Sequence, residues 1–271
     1  MRGVFPLIAA LAVALAAPVG AVSLSEASLS RMDDAEIILL GEVHDNPSHH
    51  AAQADLVARI APRAVVYEML SPEQAGLVTP QLLGDADALA MALDWSQSGW
   101  PDFAMYHPIF LAAPDSVVFG AAVPRAAARA SMQSGIAAAF GPEAAVFGLA
   151  DPLSETEQAQ REALQFDAHC EALPRDLLPT MVDIQRLRDA RLAQEALIAL
   201  ERTGGPVVVI TGNGHARADW GVPRFLRQVR GGVRIFSLGQ TEDGAVLPGA
   251  FDAVLDAPSV ARPDPCDAFR N

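Results

Sequence analysis

The stretch Glu36-Ile37-Ile38-Leu39-Leu40-Gly41-Glu42-Val43-His44 begins as a continuous apolar run and ends in a glycine followed by polar side chains. An apolar run without polar alternation is typical of a parallel strand that is buried on both faces. Glycine at the end of such a run permits tight backbone geometry where the chain leaves the sheet. The stretch therefore predicts a buried strand that carries Glu42 and His44 at its carboxyl end.

Other runs of the same kind follow along the chain. Ala64 to Tyr67 precedes Glu68, and Pro206 to Thr211 precedes Gly212-Asn213-Gly214-His215. Further strands are predicted at Val117 to Val123, Ala145 to Leu149 and Val233 to Leu238. Helical patterns separate these runs, so the fold is predicted to be α/β, with a mostly parallel central sheet flanked by helices.

The first helix of this series has a clear start. Asn46 can cap it, and Pro47 stands at its first position. One stripe of the helix then carries His49, Gln53, Leu56 and Ile60. A long helix is predicted from Arg175 to Arg202; its face turns charged in its second half, which is therefore expected to leave the core or enter a polar site.

The segment from Pro72 to Ala113 is irregular, with Pro, Gly, Trp and Asp mixed among short helical pieces. We interpret residues 74–113 as a mainly helical insertion over the carboxyl edge of the sheet. A connection of this length inside a compact domain usually has a binding or lid role.

The amino terminus has the pattern of a secretory signal peptide. Arg2 precedes an apolar run from Val4 to Ala17, and Val19-Gly20-Ala21 supplies small residues for cleavage. We expect cleavage after Ala21, export to the periplasm, and one domain over residues 22–271. An uncleaved anchor is the alternative. A lipid anchor is not expected, because no cysteine stands immediately after the signal region.

Charge and cysteine content narrow the function classes further. The net charge is −14, and every basic residue is Arg, since the chain contains no Lys. This charge argues against binding nucleic acid or anionic lipid, both of which reward dense positive charge. Cys170 and Cys266 fit no zinc or C-x-x-C pattern. In an oxidising compartment they could form a disulfide or remain two free thiols.

Polar residues at three predicted strand ends form the candidate site. Ligands of parallel sheets bind beyond the carboxyl ends of the strands, where Glu42, His44, Glu68 and His215 are all expected. Imidazole and carboxylate together suit a divalent cation or a general acid/base pair. Each histidine alone could be an ordinary loop residue, but the repeated Gly-x-x-His pattern favours a shared site. His49 and His50 could reach the same edge from the helix start.

Several segments together resemble the ChaN-like haem-binding uptake family of the Tiki superfamily. They are Leu40 to Asn46 with His49-His50 and Gln53, Glu68-Met69, Gly99-Trp100-Pro101 through Tyr106, Arg188-Asp189-Ala190, and Gly212 to Arg217 running into Gly221-Val222-Pro223-Arg224. The resemblance extends from about Ile37 to Leu238, nearly the whole predicted mature chain.

The resemblance implies haem as the ligand and a role in haem or iron uptake or storage. The segment Trp95 to Phe110 concentrates aromatic residues, which could wall a haem or simply pack the insertion onto the sheet. It also offers Tyr106 or His107 as axial donor. Trp100, His49 and Arg217 complete the predicted haem-binding residues. A haem-uptake receptor or transporter is the implied partner, and a homodimer is left open.

The wider superfamily also contains metal-dependent proteases and esterase-like enzymes. The alternative function is therefore a hydrolase in which Glu42, His44, Glu68 and His215 hold a divalent cation that activates water. A degenerate enzyme fold that serves as a binding module is a third hypothesis. Serine-hydrolase and nucleotide chemistry are unsupported, because the sequence has no Gly-x-Ser-x-Gly elbow and no phosphate loop.

Overall fold

A computed structural model of the protein describes residues 24–264 and 266–267. The predicted signal peptide, residues 1–21, lies outside the described residues. Within those ranges, no helix combines the length and the apolar character needed to cross a bilayer.

The described residues form one parallel sheet of six strands. The strands are β1 (Ile37–Glu42), β2 (Ala64–Tyr67), β3 (Val117–Gly120), β4 (Val207–Gly212), β5 (Ile235–Glu242) and β6 (Ala253–Ala257). Their order across the sheet is β3-β2-β4-β1-β5-β6. β1 lies near the centre, where Ile37 pairs with Val207 on one side and with Ile235 on the other. The predicted parallel α/β architecture is confirmed.

Helices connect the strands and cover both faces. They are α1 (Glu26–Asp33), α2 (Pro47–Ile60), α3 (Pro72–Ala75), α4 (Pro80–Leu83), α5 (Ala86–Ala92), α6 (Trp95–Ser98), α7 (Phe103–Ala112), α8 (Arg125–Ser134), α9 (Ile136–Phe140), α10 (Glu155–Ala168), α11 (Leu178–Thr203), α12 (Asn213–Ala216) and α13 (Val222–Val229). A 3₁₀ turn, Arg175–Leu177, precedes α11. Asn46 caps α2 by accepting from the backbone N–H of Ser48, as the sequence predicted.

The central strand divides the core into two layers because successive side chains of a strand point to opposite faces. Ile37 and Leu39 pack with residues of α9, α11 and α13, whereas Ile38 and Leu40 pack with residues of α2 and α7. All four side chains are fully buried. This two-sided burial explains why the run lacks polar alternation.

The insertion predicted at residues 74–113 is mainly helical, as expected, and comprises α3 to α7. Its last helix, α7, packs against α2 on one face of the sheet. Between α6 and α7 the chain reaches the carboxyl edge of the sheet, where the Trp100 ring contacts that of His44. The insertion therefore covers one face and adds an aromatic wall to the edge.

The strand predictions need three corrections. Residues 145–149 are not a strand: Phe147 and Leu149 are buried, but Gly148 has a φ of +66° and the chain runs in turns. The run is apolar because Phe147 and Leu149 pack into the core, but these residues pair with no strand of the described sheet. The predicted strand from Val117 ends at Gly120, and β6 was not predicted, because its exposed Val254 and Asp256 break the apolar pattern.

The long helix α11 departs from its prediction in one respect. Its second half stays in the core through buried alanines at 190, 193, 196 and 199. Alanine side chains are small, so the helix can lie close against the sheet. The same helix also enters a polar site, since Asp189 is almost fully buried beside His215.

The carboxyl-terminal tail is attached to the body at two places. Cys170 and Cys266 form a disulfide, which settles the two alternatives that the sequence left open. Arg262 forms ion pairs with Asp45 and Glu242. The tail thus connects the turn after α10 with the loop that follows β1.

Candidate functional site

The carboxyl edge of the sheet brings together the four side chains that the sequence placed there. Glu42 ends β1, Glu68 follows β2, and His215 lies in α12 directly after β4. Nε2 of His215 is 3.4 Å from Oε1 of Glu68. His44, two residues beyond β1, bonds to Glu42. Their convergence follows from the parallel topology, because β1, β2 and β4 are neighbours in the sheet.

The first half of the site is built around the carboxylate of Glu42, which is fully buried. Its Oε1 accepts hydrogen bonds from Nδ1 of His44 at 2.7 Å and from the hydroxyl of Tyr106 at 3.1 Å. Its Oε2 has no hydrogen-bond partner within the described structure and lies 3.5 Å from Nδ1 of His50. The carboxylate therefore holds the His44 ring in a defined orientation.

The second half is built around Glu68 at the end of β2. Its Oε2 accepts from the hydroxyl of Thr211 at 2.6 Å and from the backbone N–H of Gly212 at 2.9 Å. Burial alone would raise the pKa of Glu68. The positive charge of His215 and His44, with these hydrogen bonds, outweighs burial and holds the pKa well below its usual range. Glu68 is therefore a carboxylate at neutral pH.

His215 lies between two acids. Its Nδ1 is 2.6 Å from Oδ1 of Asp189 and 3.1 Å from the side-chain amide of Gln185. Burial disfavours a charged ring, but the negative charges of Glu68 and Asp189 outweigh burial and raise the pKa of His215 to about 10. Burial also raises the pKa of Asp189 above its usual value. The site thus contains a buried imidazolium in contact with both acids.

The two glycines of the Gly-x-x-His motifs are required by close approach. A Cβ atom at position 212 would lie 2.9 Å from Cε1 of His44, and one at position 41 would lie 2.8 Å from the carbonyl oxygen of Leu238. Real side chains do not tolerate such distances. Gly212 in particular leaves the space in which the ring of His44 lies beside the end of β4.

The predicted divalent-metal site is not found. Within residues 24–264 and 266–267 there is no group of three or more His, Cys, Asp or Glu side chains arranged to hold a metal ion. The physical reason is that the donor atoms of Glu42, Glu68 and His215 face one another or protein hydrogen-bond donors. The metal-dependent hydrolase hypothesis, which relied on this site, receives no support from the structure.

His49 and His50 are both buried, as members of α2 that face the edge of the sheet. Nδ1 of His49 accepts from the backbone N–H of Val43, so the hydrogen is on Nε2, which donates to the carbonyl of Thr241. Both ring nitrogens of His49 are therefore used, and its role is structural. His50 donates from Nε2 to the carbonyl of His44 and supports the loop after β1.

The two predicted axial donors, Tyr106 and His107, both hydrogen-bond to other residues of the protein. Tyr106 is fully buried and donates its hydroxyl hydrogen to Glu42. Burial and the charge of Glu42 raise the pKa of Tyr106 far above its ordinary value, which opposes a phenolate. His107 is the next residue of α7, but it donates from Nε2 to the carbonyl of Leu83 and not to a residue of the site. Tyr106 belongs to the site as a support, and His107 lies apart from it.

Of the other predicted haem-binding residues, Trp100 lies at the site and Arg217 does not. The Trp100 ring meets the His44 ring edge-on, with centroids 4.9 Å apart. Arg217 is buried away from His44; it pairs with Asp219 and stacks on the Trp220 ring at 3.9 Å. The structure therefore places Trp100 at the site and Arg217 in a neighbouring cleft, where its charge is already neutralised.

A cleft of about 310 Å³ opens beyond the carboxyl ends of β2 and β3. We call it the arginine cleft; its lining includes Glu68, Met69, Trp100, Val123, Arg125 and Arg188. Sequence reasoning assigned no role to Arg188 or Asp189, although both lie in a segment that resembles the family. Nothing in the sequence marks Arg125 or Gln185.

Comparison with known proteins agrees with the fold. The model of a family described as haem-binding uptake, Tiki superfamily, ChaN, matches residues 28–226. Among solved structures, ChaN of Campylobacter jejuni, described with cofacial heme binding, is 21% identical with a TM-score of 0.63. The match covers 86% of this chain and 91% of that chain.

A second structure, the type III effector HopBA1, is 12% identical with a TM-score of 0.44 and is covered over 90% of its chain, against 84% of this one. This likeness is too distant to carry an argument. No curated protein matches the chain at a significant level. The family match extends over well more than half of the chain, and the ChaN structure has the same fold. This protein belongs to the ChaN family of haem-binding uptake proteins in the Tiki superfamily.

Proposed function

We propose that this protein is exported to the bacterial periplasm and binds haem there for iron uptake or storage. One observation carries the proposal: in a chain of a haem-binding family, His44 at the carboxyl edge of the sheet has a ring nitrogen, Nε2, that bonds to no residue of the described structure. Exchange of haem with a receptor or transporter, and pairing of two copies of the chain, belong to the same proposal.

The chemistry of His44 suits an axial ligand. Its side chain is 38% exposed, and its Nδ1 donates to Glu42, which leaves the lone pair of Nε2 unused. Metal-ligating histidines commonly donate their second ring N–H to a carboxylate, which fixes the tautomer and increases the basicity of the ligand. Haem, when bound, supplies an iron centre that accepts such a nitrogen donor. His44 therefore replaces Tyr106 and His107 as the proposed donor.

The surroundings of His44 also fit a flat apolar ligand. Trp100 stands edge-on to the His44 ring and lines the arginine cleft next to it. Met69 and Val123 add apolar surface to the same cleft. Haem sites need such walls beside the axial donor, because most of the porphyrin surface is apolar.

Two features support the periplasmic location. Residues 1–21 have the charge, apolar run and small-residue end of a signal peptide. The Cys170–Cys266 disulfide is of the kind that persists in oxidising compartments and is rare in the bacterial cytosol.

A titration of the purified protein with ferric haem tests the proposal. The wild-type protein should bind haem saturably, with a Soret spectrum typical of histidine ligation. His44→Ala should weaken binding and alter the spectrum, because the axial nitrogen is lost. His107→Ala is the matched control, since this half-buried histidine bonds to the carbonyl of Leu83 rather than to a residue of the site, and it should behave as the wild type does.

Two results would contradict the proposal. The first is haem binding no stronger than the nonspecific level of a protein such as albumin. The second is a His44→Ala variant that is folded, by circular dichroism, and keeps both the affinity and the spectrum of the wild type. The second result would leave haem binding in place but reject His44 as the ligand.

A further inference from the structure

We infer that Arg125 and Arg188 recognise the two propionate carboxylates of haem, so that the site selects carboxylated porphyrins over neutral ones. The inference rests on the proposed function and adds the features that would decide ligand specificity.

The two arginines reach the arginine cleft from different elements. Arg125 is the first residue of α8, after β3, and is exposed; Arg188 belongs to α11 and is half-buried. Trp100 lines the same cleft, and its ring also contacts the ring of His44. A ligand whose iron meets His44 beside Trp100 would thus extend toward both guanidinium groups.

Among the described residues, no acid neutralises the charges of these arginines. Neither Arg125 nor Arg188 forms an ion pair or hydrogen bond with another residue in the described ranges. Arg186, two residues before Arg188 on α11, is in contrast bonded to Asp183 and to the carbonyl oxygens of Gly148 and Asp151. In a chain of net charge −14, carboxylates for pairing are abundant. Two unpaired guanidinium groups in one cleft therefore indicate an anionic ligand.

The position of Arg125 is set by the turn before Trp100. Gly99 has a φ of +81°, and a Cβ atom there would lie 2.6 Å from Nη2 of Arg125. The guanidinium group therefore packs directly against the backbone of Gly99. This contact places the positive charge of the exposed Arg125 side chain next to the aromatic wall.

The chemistry of the cleft favours carboxylates on an apolar ring. A guanidinium group is planar and can bind a carboxylate through two parallel hydrogen bonds. The acid that lines the cleft, Glu68, already accepts from Thr211 and Gly212 and faces His215, so its charge is compensated. Two free cations match the two propionates of haem, and Met69 and Val123 can contact the ring edge.

The test compares haem with haem dimethyl ester, which keeps the iron and the ring but has no charged propionates. Wild-type protein should bind haem about a hundredfold more tightly than the ester, with about tenfold from each arginine, the effect of one charged hydrogen bond. Arg125→Gln and Arg188→Gln should each lower haem affinity about tenfold, leave ester affinity unchanged and keep the Soret spectrum of the wild type.

Arg129→Gln is the matched control, because Arg129 is an exposed arginine on α8 that does not line the cleft. It should leave the affinities for haem and for the ester unchanged. Equal wild-type affinity for haem and its ester, or arginine variants that bind haem as the wild type does, would overturn the inference while leaving haem binding intact. A wild-type protein that binds no haem would overturn the proposed function together with this inference.

Discussion

Nδ1 of His215 lies 2.6 Å from Oδ1 of Asp189, although the two residues belong to different helices and the acid is almost fully buried. Nε2 of the same ring faces Glu68 at 3.4 Å. The two acids outweigh the cost of burying the imidazolium and raise the pKa of His215 to about 10. The ring thus joins α11, α12 and the end of β2 through charge.

This arrangement predicts how stability depends on pH. The pKa of His215 is higher in the folded protein than its value of about 6.5 in an unfolded chain. Its stabilising contribution is therefore fully present below about pH 6.5 and is lost as the pH rises to about 10. Urea denaturation from pH 6 to 10 should show the free energy of unfolding decreasing across this window.

The variant His215→Gln should be less stable at pH 6 and should show a much flatter pH dependence. The absence of Lys keeps other titrations in this range few. His169→Gln is the control, because His169 is half-exposed and bonds only to a backbone carbonyl. A His215→Gln variant with the same slope as the wild type would show that the ring is uncharged in the folded state.

The two tyrosines predict a difference in stability. Both are fully buried, but Tyr106 donates to the Glu42 carboxylate, whereas Tyr67 stacks on Phe110 and has no hydroxyl hydrogen bond within the described structure. Tyr106→Phe should cost about 1.5–3 kcal/mol of unfolding free energy, the range for hydrogen bonds to charged groups. Tyr67→Phe should cost clearly less.

Chemical denaturation of both variants checks this difference, and haem titration adds a second readout. If His44 is the ligand, as we propose, Tyr106→Phe should keep the Soret position of the wild type. A shifted spectrum in a stable Tyr106→Phe variant would restore the tyrosine as the axial donor.

Haem binding should weaken on acidification. The ring of His44 is disfavoured as a cation by burial, but its hydrogen bond to Glu42 and the charges of Glu68 and Glu42 outweigh burial and raise its pKa above the ordinary value. Only the neutral ring offers its Nε2 lone pair to iron. Affinity measured from pH 5 to 9 should therefore increase until His44 is deprotonated and then level off. A pH-independent affinity would argue against imidazole ligation.

The disulfide should stabilise the folded protein. Cys170 and Cys266 close a loop with a sequence separation of 96, which restricts the unfolded chain. Replacing both cysteines by serine should lower the free energy of unfolding by about 2–4 kcal/mol. Reductant should produce a similar loss in the wild type and none in the double variant. Equal stability of oxidised and reduced wild-type protein would show that the disulfide does not stabilise the fold.

Export predicts a new amino terminus. Mass spectrometry of protein from the periplasmic fraction should find a chain that begins at Val22, since Val19-Gly20-Ala21 supplies the small residues before the cut. Ala21→Arg should block processing, because a large charged residue does not fit the cleavage position. An intact Met1 on membrane-bound protein would replace export with anchoring.

The structure confirms a large part of what local sequence patterns indicate. The runs at Ile37 to Leu40 and at Val207 to Ile210 are recognisable as buried parallel strands because each residue of such a strand is covered on one face or the other. The Gly-x-x-His motifs mark the strand ends. Parallel pairing then places Glu42, Glu68 and His215 at one edge without any knowledge of the packing.

The tertiary structure alone decides which of these groups is available. His44 and Tyr106 both carry a donor atom, but only the tertiary structure shows that both bond to Glu42. Tyr106 lies 64 residues from Glu42 in the chain and is fully buried. Asp189 bonds to His215 only because the fold brings α11 beside α12. Such contacts join residues distant in sequence, so no local periodicity encodes them, whereas strand and helix patterns arise from neighbours along the chain.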